Sequence, residues 1–319
     1  MELLVKEQQQ VASESLEYPL FRTKKGEVPL WDHPFLKGSK VLPQKYYPYT
    51  TIEGAIDLYR RGRIDDTDFI LLKVLGDAIC ANEDQLRRYM ASVMSPSQTS
   101  KRLDKFRTTG LVERWKVRIR GQEENLKPPA PFTLGIAGFK LMKHYYNEDF
   151  FMNPNRWDDI GVGAIKRYVA MNELRCLMTE KKVISKWKWN AVLANNHRLK
   201  FPLAAAEIKT AQGNVNFLID RAQMNQNYIG YFRDKLNSWV KIYQHYGTIP
   251  VSDFQENQSF VIIFASTLTV AEHLHSELML DTFPFHVWVC VEEDLLQEGL
   301  NTAFYRPSKE KLQRLMLEF

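Results

Sequence analysis

The pattern of hydrophobic and polar positions first becomes regular between residues 66 and 110, where apolar side chains recur at helical spacing in three consecutive segments. Asn82 and Ser95 each stand three residues before a glutamine, Gln85 and Gln98. This is the spacing of a capping box, which begins a helix because it satisfies first-turn amides. Three short helices in succession are therefore predicted.

After Gly110, a residue suited to the left-handed position that ends a helix, the pattern changes to strand alternation. Trp115, Val117 and Ile119 alternate with basic residues, as in a strand that is buried on one face only. We expect residues 121 to 136 to form a hairpin tip and the returning strand.

Three helices followed by a hairpin have the order of a winged helix-turn-helix, and we assign residues 51 to 147 to such a domain. The window from Arg60 to Arg120 contains fourteen Lys or Arg and eight Asp or Glu, a surplus of +6 against +5 for the whole chain. The basic character is therefore local.

A basic helix face beside a basic strand suits the phosphate backbone of nucleic acid, because neutralised phosphates release their counterions. We therefore predict that this domain binds double-stranded DNA, and we leave open a solvated surface on an adaptor domain without DNA affinity. The predicted contact residues are Gln98, Lys101, Arg102, Lys105, Arg107, Arg114, Lys116, Arg118 and Arg120.

The length and composition of the chain limit the number of domains and the class of protein. A length of 319 residues suits about two domains, and 45% hydrophobic residues are enough for real cores. No run approaches the roughly 20 apolar residues of a membrane span, and the start of the chain is too polar for a secretory signal. We expect a cytoplasmic protein without a membrane partner. Three scattered cysteines suggest no disulfide framework, and we expect no cofactor and no metal.

Two further regions complete the chain. Residues 1 to 50 are aperiodic but rich in aromatic residues, and we expect an N-terminal arm that wraps the body or a dimer mate. Residues 156 to 319 are predicted to form a helix, three strands, helix, strand, helix, strand, and a final helix from Lys309 to Leu317. The almost wholly apolar Phe260 to Ala265 suits a strand buried on both faces. The fold class is α/β with a mixed sheet.

Local features of this second half carry a resemblance. Pro202 precedes a strand, Leu218-Ile219-Asp220-Arg221 ends the next, and a helix follows from Lys235 to Tyr243. Together with the order of elements, they resemble the replication-relaxation family of plasmids and mobile elements. The resemblance implies a winged helix followed by a degenerate restriction-endonuclease-like domain.

In the active version of that fold, carboxylates on neighbouring strands hold magnesium and a lysine acts on water. Leu203 and Leu218 occupy the positions where the resemblance would place the acids, and only Asp220 remains. An alternative register offers Glu207 and Lys209 as acidic-x-Lys. We therefore expect an inactive domain, with a metal-dependent endonuclease using Glu207, Lys209 and Asp220 as the alternative.

The combined prediction is a sequence-specific duplex DNA-binding protein of a plasmid or mobile element, acting in transcription control or in replication or transfer initiation. Its second domain would serve as a scaffold for a homodimer or for a replication or conjugation protein, because helix-turn-helix proteins commonly bind paired half-sites as dimers. The adaptor and the endonuclease remain the alternatives.

Overall fold

The computed structural model describes residues 22–119, 128–146, 151–211, 213–223 and 227–318. The chain is a mixed α/β protein that divides into two compact units. The first unit is Phe35–Cys176, and the second unit combines Met1–Pro34 with Leu177–Phe319. This division differs from the predicted boundaries at residues 50 and 147.

The first unit consists of a four-stranded sheet, in the order β1-β3-β4-β2 among the described residues, with short helices around it. Its elements are β1 (Leu36–Val41), α1 (Ile52–Arg60), α2 (Asp66–Ala78), β2 (Ala81–Asn82), α3 (Glu83–Tyr89), α4 (Pro96–Thr108), β3 (Val112–Ile119), β4 (Pro131–Leu134), α5 (Ile136–Tyr145) and the start of α6 (Trp157–Glu180).

The helix signals in the sequence are confirmed in this unit. Asn82 with Gln85, and Ser95 with Gln98, form complete capping boxes at α3 and α4. Gly110 follows α4 with φ 71°, the left-handed conformation that favours glycine. The buried sides of α2, α4 and the sheet then share one hydrophobic core.

Strand β1 lies inside the stretch for which the sequence predicted an arm. It pairs antiparallel with β3 from Leu36 opposite Ile119 to Val41 opposite Arg114, so it belongs to the sheet of the first unit. Apolar alternation is missing here because the inward positions after Leu36 are Gly38 and a lysine. A side chain at Gly38 would meet Val162 at 3.0 Å, which explains the glycine.

The second unit is built on a seven-stranded sheet in the order β11-β10-β9-β8-β7-β6-β5 among the described residues. Its elements are β5 (Ile184–Trp189), β6 (Ala204–Thr210), β7 (Gly213–Arg221), α7 (Tyr228–Tyr246), β8 (Gln258–Ala265), α8 (Leu268–Leu278), β9 (His286–Val291), α9 (Glu292–Glu298), β10 (Phe304–Pro307) and β11 (Leu312–Arg314). Single 3₁₀ turns lie at Leu30–Asp32, Leu280–Thr282 and Leu300–Thr302, and a further one at Pro154–Arg156 belongs to the first unit.

Strands β5, β6 and β7 form an antiparallel meander, and β8 and β9 then continue the sheet in parallel with β7. Helices α7 and α8 cover one face, where Phe232, Trp239 and Leu274 pack against the strands. The prediction that Phe260 to Ala265 is buried on both faces is confirmed, since every residue of this stretch is buried.

The second half of the chain contains one wrong local prediction and two local irregularities. The helix predicted from Lys309 to Leu317 is wrong: Leu312–Arg314 is a strand that pairs with β10, so tertiary pairing overrides local helix propensity. Helix α6 is interrupted at Gly161, whose φ of 59° and ψ of −161° are not helical. A β-bulge between Ile184 and Lys186 interrupts the regular alternation of side chains in β5.

The described helices include none that is both long enough and apolar enough to cross a membrane. Cys80, Cys176 and Cys290 all lie in the described part of the chain, are buried, and form no disulfide bond.

Candidate nucleic-acid interface

Helix α4 presents a polar outer face that begins at its capping box. The Gln98 side chain is exposed, and its Oε1 accepts a hydrogen bond from the Ser95 amide at 2.9 Å. Lys101, one turn further, is exposed and makes no ion pair with any described residue. Lys101 is therefore available to an external anion, while one end of Gln98 is already used in the cap.

The structure gives Arg102 an internal role. Its guanidinium donates to Asp65 at 2.8 and 3.1 Å and also to Asp68, whose side chain is fully buried. Lys105 lies 3.4 Å from the same Asp68. Asp65 and Asp68 form the capping box of α2, so these two cations bind α4 to the start of α2.

The electrostatics of this pair follow from its geometry. The hydrogen bond from Arg102 lowers the pKa of the Asp65 carboxyl, and the same bond raises the pKa of the Arg102 guanidinium. The charge of Arg102 is thus already satisfied by two carboxylates. We expect it to hold α4 in place and not to contact a phosphate.

Arg107, also predicted to contact DNA, is directed at the sheet. Its side chain is only 12% exposed, bonds to Asp104 at 3.2 Å, and donates to the Val41 carbonyl at 3.4 Å. Arg107 therefore links the end of α4 to β1.

Strand β3 has the predicted basic outer face. Residues directly opposite each other in an antiparallel pair share a face of the sheet. Arg118 is opposite Lys37, Lys116 is opposite Ser39, and Arg114 is opposite Val41. Lys37, Lys116 and Arg118 are exposed and Arg114 is partly exposed, and within the described ranges none of the four forms an ion pair. We call these four residues the basic sheet face.

Sequence reasoning missed one member of the basic sheet face. Lys37 was assigned to an arm because β1 lacks apolar alternation. Its neighbour Lys40 points to the other side, where it pairs with Glu113 at 3.1 Å and Asp158 at 3.3 Å. Arg120, predicted to extend the face, lies outside the described residues. The pairing register with β3 is the signal that identifies Lys37.

The alternative catalytic residues lie in the second unit and are not brought together. Glu207 is opposite Asn216 on β7, and Asp220 is four residues further along the same strand. At the usual rise per residue this separates the two carboxylates by about 13 Å along the strand. Glu207 is buried and accepts from Asn214 at 3.3 Å and from the Gln255 amide at 3.4 Å, while Lys209 is exposed.

Asp220 is buried in a polar cluster of its own. Its Oδ1 accepts from Lys235 Nζ at 2.7 Å and from the Leu203 amide at 3.2 Å. Lys235 also donates to the Tyr231 hydroxyl at 2.7 Å, and that hydroxyl lies 3.4 Å from Asp220. A lysine of α7 therefore compensates the one acid that remained at the expected position.

The described residues contain no group of three or more His, Cys, Asp or Glu side chains arranged to hold a metal ion. The arrangement of Asp220, Lys235 and Tyr231 instead forms a buried ion pair with an additional hydroxyl. The negative charge of Asp220, which a metal ion would need as a ligand, is therefore already paired with the ammonium group of Lys235.

Comparisons with known proteins add distant structural likenesses. No protein-family model matches the chain, and no curated protein matches it significantly. The small subunit (R.BspD6I2) of the heterodimeric restriction endonuclease R.BspD6I is similar at 10% identity, over 45% of this chain and 73% of that chain, with a TM-score of 0.28. The restriction endonuclease FokI bound to DNA is similar at 10% identity, over 83% of this chain and 55% of that chain, with a TM-score of 0.30.

A further FokI structure shares 12% identity over 73% of this chain and 43% of that chain, with a TM-score of 0.27. Two of the three similarities thus span only about half of the compared protein. Likenesses at such identities and TM-scores leave the function of this chain to be argued from its own residues.

Proposed function

We propose that the first unit is a winged helix-turn-helix domain and that the protein binds duplex DNA through it. The support is the order of α2, β2, α3, α4 and the β3–β4 hairpin, together with the position of β2 at the edge of the same sheet. In such domains the helix in the position of α4 enters the major groove, and the hairpin lies beside it.

The observation that carries the proposal is the basic sheet face. Three exposed cations, Lys37, Lys116 and Arg118, lie on one side of two paired strands, and the described residues supply no anion to neutralise them. An unneutralised cationic row costs little in water but gains strongly from a phosphate backbone, because counterions are released.

Base recognition would fall to the exposed face of α4. Gln98 and Lys101 extend from the first two turns of that helix, and side chains of these types donate to or accept from base edges in the major groove. Arg102 is excluded from this role by its two carboxylate partners. Fewer residues of α4 are therefore proposed to contact bases than the sequence predicted.

We further propose that the second unit is a restriction-endonuclease-like domain that has lost catalysis and serves as a scaffold. Its support is an antiparallel three-stranded meander followed by a helix and a parallel strand, with the last turn of α6 leading into the meander. Leu203 and Leu218 replace the acids, and Lys235 neutralises Asp220. Two separated carboxylates could not share one metal ion.

The scaffold would hold two copies of the chain together or dock a replication or conjugation protein. The proposed context is that of the replication-relaxation resemblance: transcription control, or initiation of replication or transfer, on a plasmid or other mobile element. A dimer would match paired half-sites on DNA.

The experiment is a native gel of the full chain with a pool of random duplex fragments, run with and without magnesium at about physiological ionic strength. We expect a discrete shift, recovery of a common sequence from the shifted band, and intact DNA in both lanes. Absence of any shift at low salt would favour the adaptor without DNA affinity. Magnesium-dependent cutting would overturn the loss of catalysis and make Glu207, Lys209 and Asp220 the residues to mutate.

A further inference from the structure

A second concentration of positive charge lies in the second unit. Between Lys181 and Lys209 the sequence contains seven Lys or Arg and one acid, Glu207. Glu207 is buried and hydrogen-bonded to Asn214 and the Gln255 amide. The exposed side chains of this stretch therefore include positive formal charges but no negative ones, although the net charge of the chain outside residues 60 to 120 is close to zero.

The strand register places three of these cations on one face of the sheet, and two more precede β5 in the chain. Lys186 is opposite Glu207 and Lys188 is opposite Ala205, so the two lysines share a face, about 6–7 Å apart along β5. Lys209 lies two residues beyond Glu207 on that same face, because strand side chains alternate.

The turn before β5 completes the group. The Lys209 amide donates to the Val183 carbonyl at 2.8 Å, which places the Lys209 backbone beside the residue that directly follows Lys181 and Lys182 in the chain. We call Lys181, Lys182, Lys186, Lys188 and Lys209 the β5 edge surface, since β5 is the last strand of the sheet order.

The β-bulge in β5 allows the lysines of this strand to be exposed while its hydrophobic residues face the other side of the sheet. Ile184 is opposite the buried Ile208, whereas Lys186, two residues later, is opposite Glu207 on the other face. Without the bulge, residues 184 and 186 would share a face, and a lysine would point toward the side where Trp189 is buried. The bulge thus places the lysines of β5 on one side and its hydrophobic residues on the other.

Apart from the buried Glu207, the acids nearest to these lysines in the described residues are Glu180, the exposed residue before Lys181, and Asp253. Lys181, Lys182 and Lys209 are exposed and form no ion pair with the described part of the chain. Asp253 pairs with Lys188, and its backbone carbonyl accepts from Lys186 at 3.1 Å. Because Asp253 is 74% exposed, this pair is weak and exchangeable.

Protection of an exposed sheet edge is a simpler reason for lysines on β5, since lysines on edge strands block pairing with other chains. It would account for Lys186 and Lys188. It does not account for Lys181 and Lys182, which precede the strand, or for Lys209, which lies on the next strand inward.

We infer that the β5 edge surface is a second binding site for the phosphate backbone of duplex DNA, separate in the chain from the basic sheet face. The inference rests on the proposed DNA binding by the first unit. It adds an interaction by a different unit, so the protein engages DNA through two cationic surfaces. Lysines that contact phosphates do not distinguish one base from another. We therefore expect this second surface to increase affinity without adding sequence preference.

The test measures how the Kd of the full chain for a random-sequence duplex changes with salt. The variant combines Lys182→Gln, Lys186→Gln and Lys209→Gln. Each phosphate that is no longer neutralised lowers the slope of log Kd against log salt by about 0.9, so removing three such lysines lowers it by about 2.7. The control combines Lys241→Gln, Lys309→Gln and Lys311→Gln, three exposed lysines elsewhere in the same unit.

The control removes the same net charge, and we expect its slope to stay near that of the unaltered chain. An equal change in the variant and the control would overturn the inference, because net charge alone would then explain the effect. The β5 edge variant could keep the slope of the unaltered chain while replacement of Lys116 and Arg118 lowers it. That result would overturn the inference about the β5 edge surface but leave the proposed function standing. Failure of the unaltered chain to bind duplex DNA would overturn both.

Discussion

The basic sheet face of the first unit and the Asp220 cluster of the second unit differ in whether their charges are exposed or buried and paired. Lys37, Lys116 and Arg118 are exposed and lack an ionic partner among the described residues. Asp220 and Lys235 are 2% and 4% exposed and bonded to each other at 2.7 Å. Exposed cations remain available to a ligand, whereas a buried pair is satisfied within the protein and acts on folding.

The largest effect expected from this difference is on stability. Lys235→Met would leave the buried Asp220 without its counter-charge, and breaking a buried pair in this way costs about 3–5 kcal/mol. Denaturant unfolding followed by circular dichroism measures the loss. Adding Asp220→Asn to Lys235→Met should recover part of it, because the uncompensated charge is then gone.

The matched control is the exposed pair of Lys200 and Asp234, which are 3.9 Å apart with side chains 53% and 73% exposed. Lys200→Met should cost less than about 1 kcal/mol. If Lys235→Met were equally mild, Asp220 would not depend on Lys235, and its availability for other chemistry would have to be reconsidered.

Replacing Arg102 tests whether its charge serves folding, like the Asp220 cluster, or ligand binding, like the basic sheet face. We expect a loss of stability smaller than that of Lys235→Met. Arg102→Gln removes the main partner of the buried Asp68, and leaving such a group poorly satisfied costs about 1–3 kcal/mol. The salt dependence of DNA binding should stay unchanged under conditions in which the variant is folded. A lower slope without any loss of stability would return Arg102 to the DNA interface.

The elements around α4 could be predicted well because their signals are local. Capping boxes at Asn82 and Ser95, the glycine at 110 and the alternation of β3 each depend on residues a few positions apart. The partners of these elements are not local. Lys37 reaches the basic sheet face through pairing with β3, and Arg102 meets Asp65 and Asp68 across 37 and 34 residues of sequence.

The candidate centre of the second unit shows the same limit. The absence of acids at Leu203 and Leu218 could be seen in the sequence, but the compensation of Asp220 could not, because Lys235 comes from the next helix. The β-bulge that reverses the sides of Ile184 and Lys186 also depends on the register with β6. Long-range pairing, not local propensity, decides which charges remain available.

A single exposed cation on α4 should have a modest effect on DNA binding and almost none on stability. Lys101→Gln should lower the salt slope of duplex binding by about 0.9 if its ammonium neutralises one phosphate. Its unfolding free energy should change by less than about 0.5 kcal/mol, as is usual for surface positions. Fluorescence anisotropy at several salt concentrations measures the slope, with Lys241→Gln as the control.

The smallest expected effect is a dependence on pH. Because the fold lowers the pKa of Asp65, the stabilisation by Arg102 is fully present above the unfolded pKa of about 3.9 and is lost as pH falls through the lowered folded pKa. Unfolding free energies measured from pH 5 downward should therefore decline more steeply for the unaltered chain than for Arg102→Gln. Parallel curves would show that the pair does not contribute in solution.

The most direct test of the proposed DNA interface is the salt dependence of duplex binding by a variant chain. In this variant Lys37, Lys101, Lys116 and Arg118 are all changed to Gln. Its control changes Lys241, Arg306, Lys309 and Lys311, which are also exposed, to Gln. Removing four phosphate-neutralising side chains should lower the slope by about 3.6 while the control keeps the slope of the unaltered chain. Equal slopes in the two variants would contradict the assignment of DNA binding to the basic sheet face and α4.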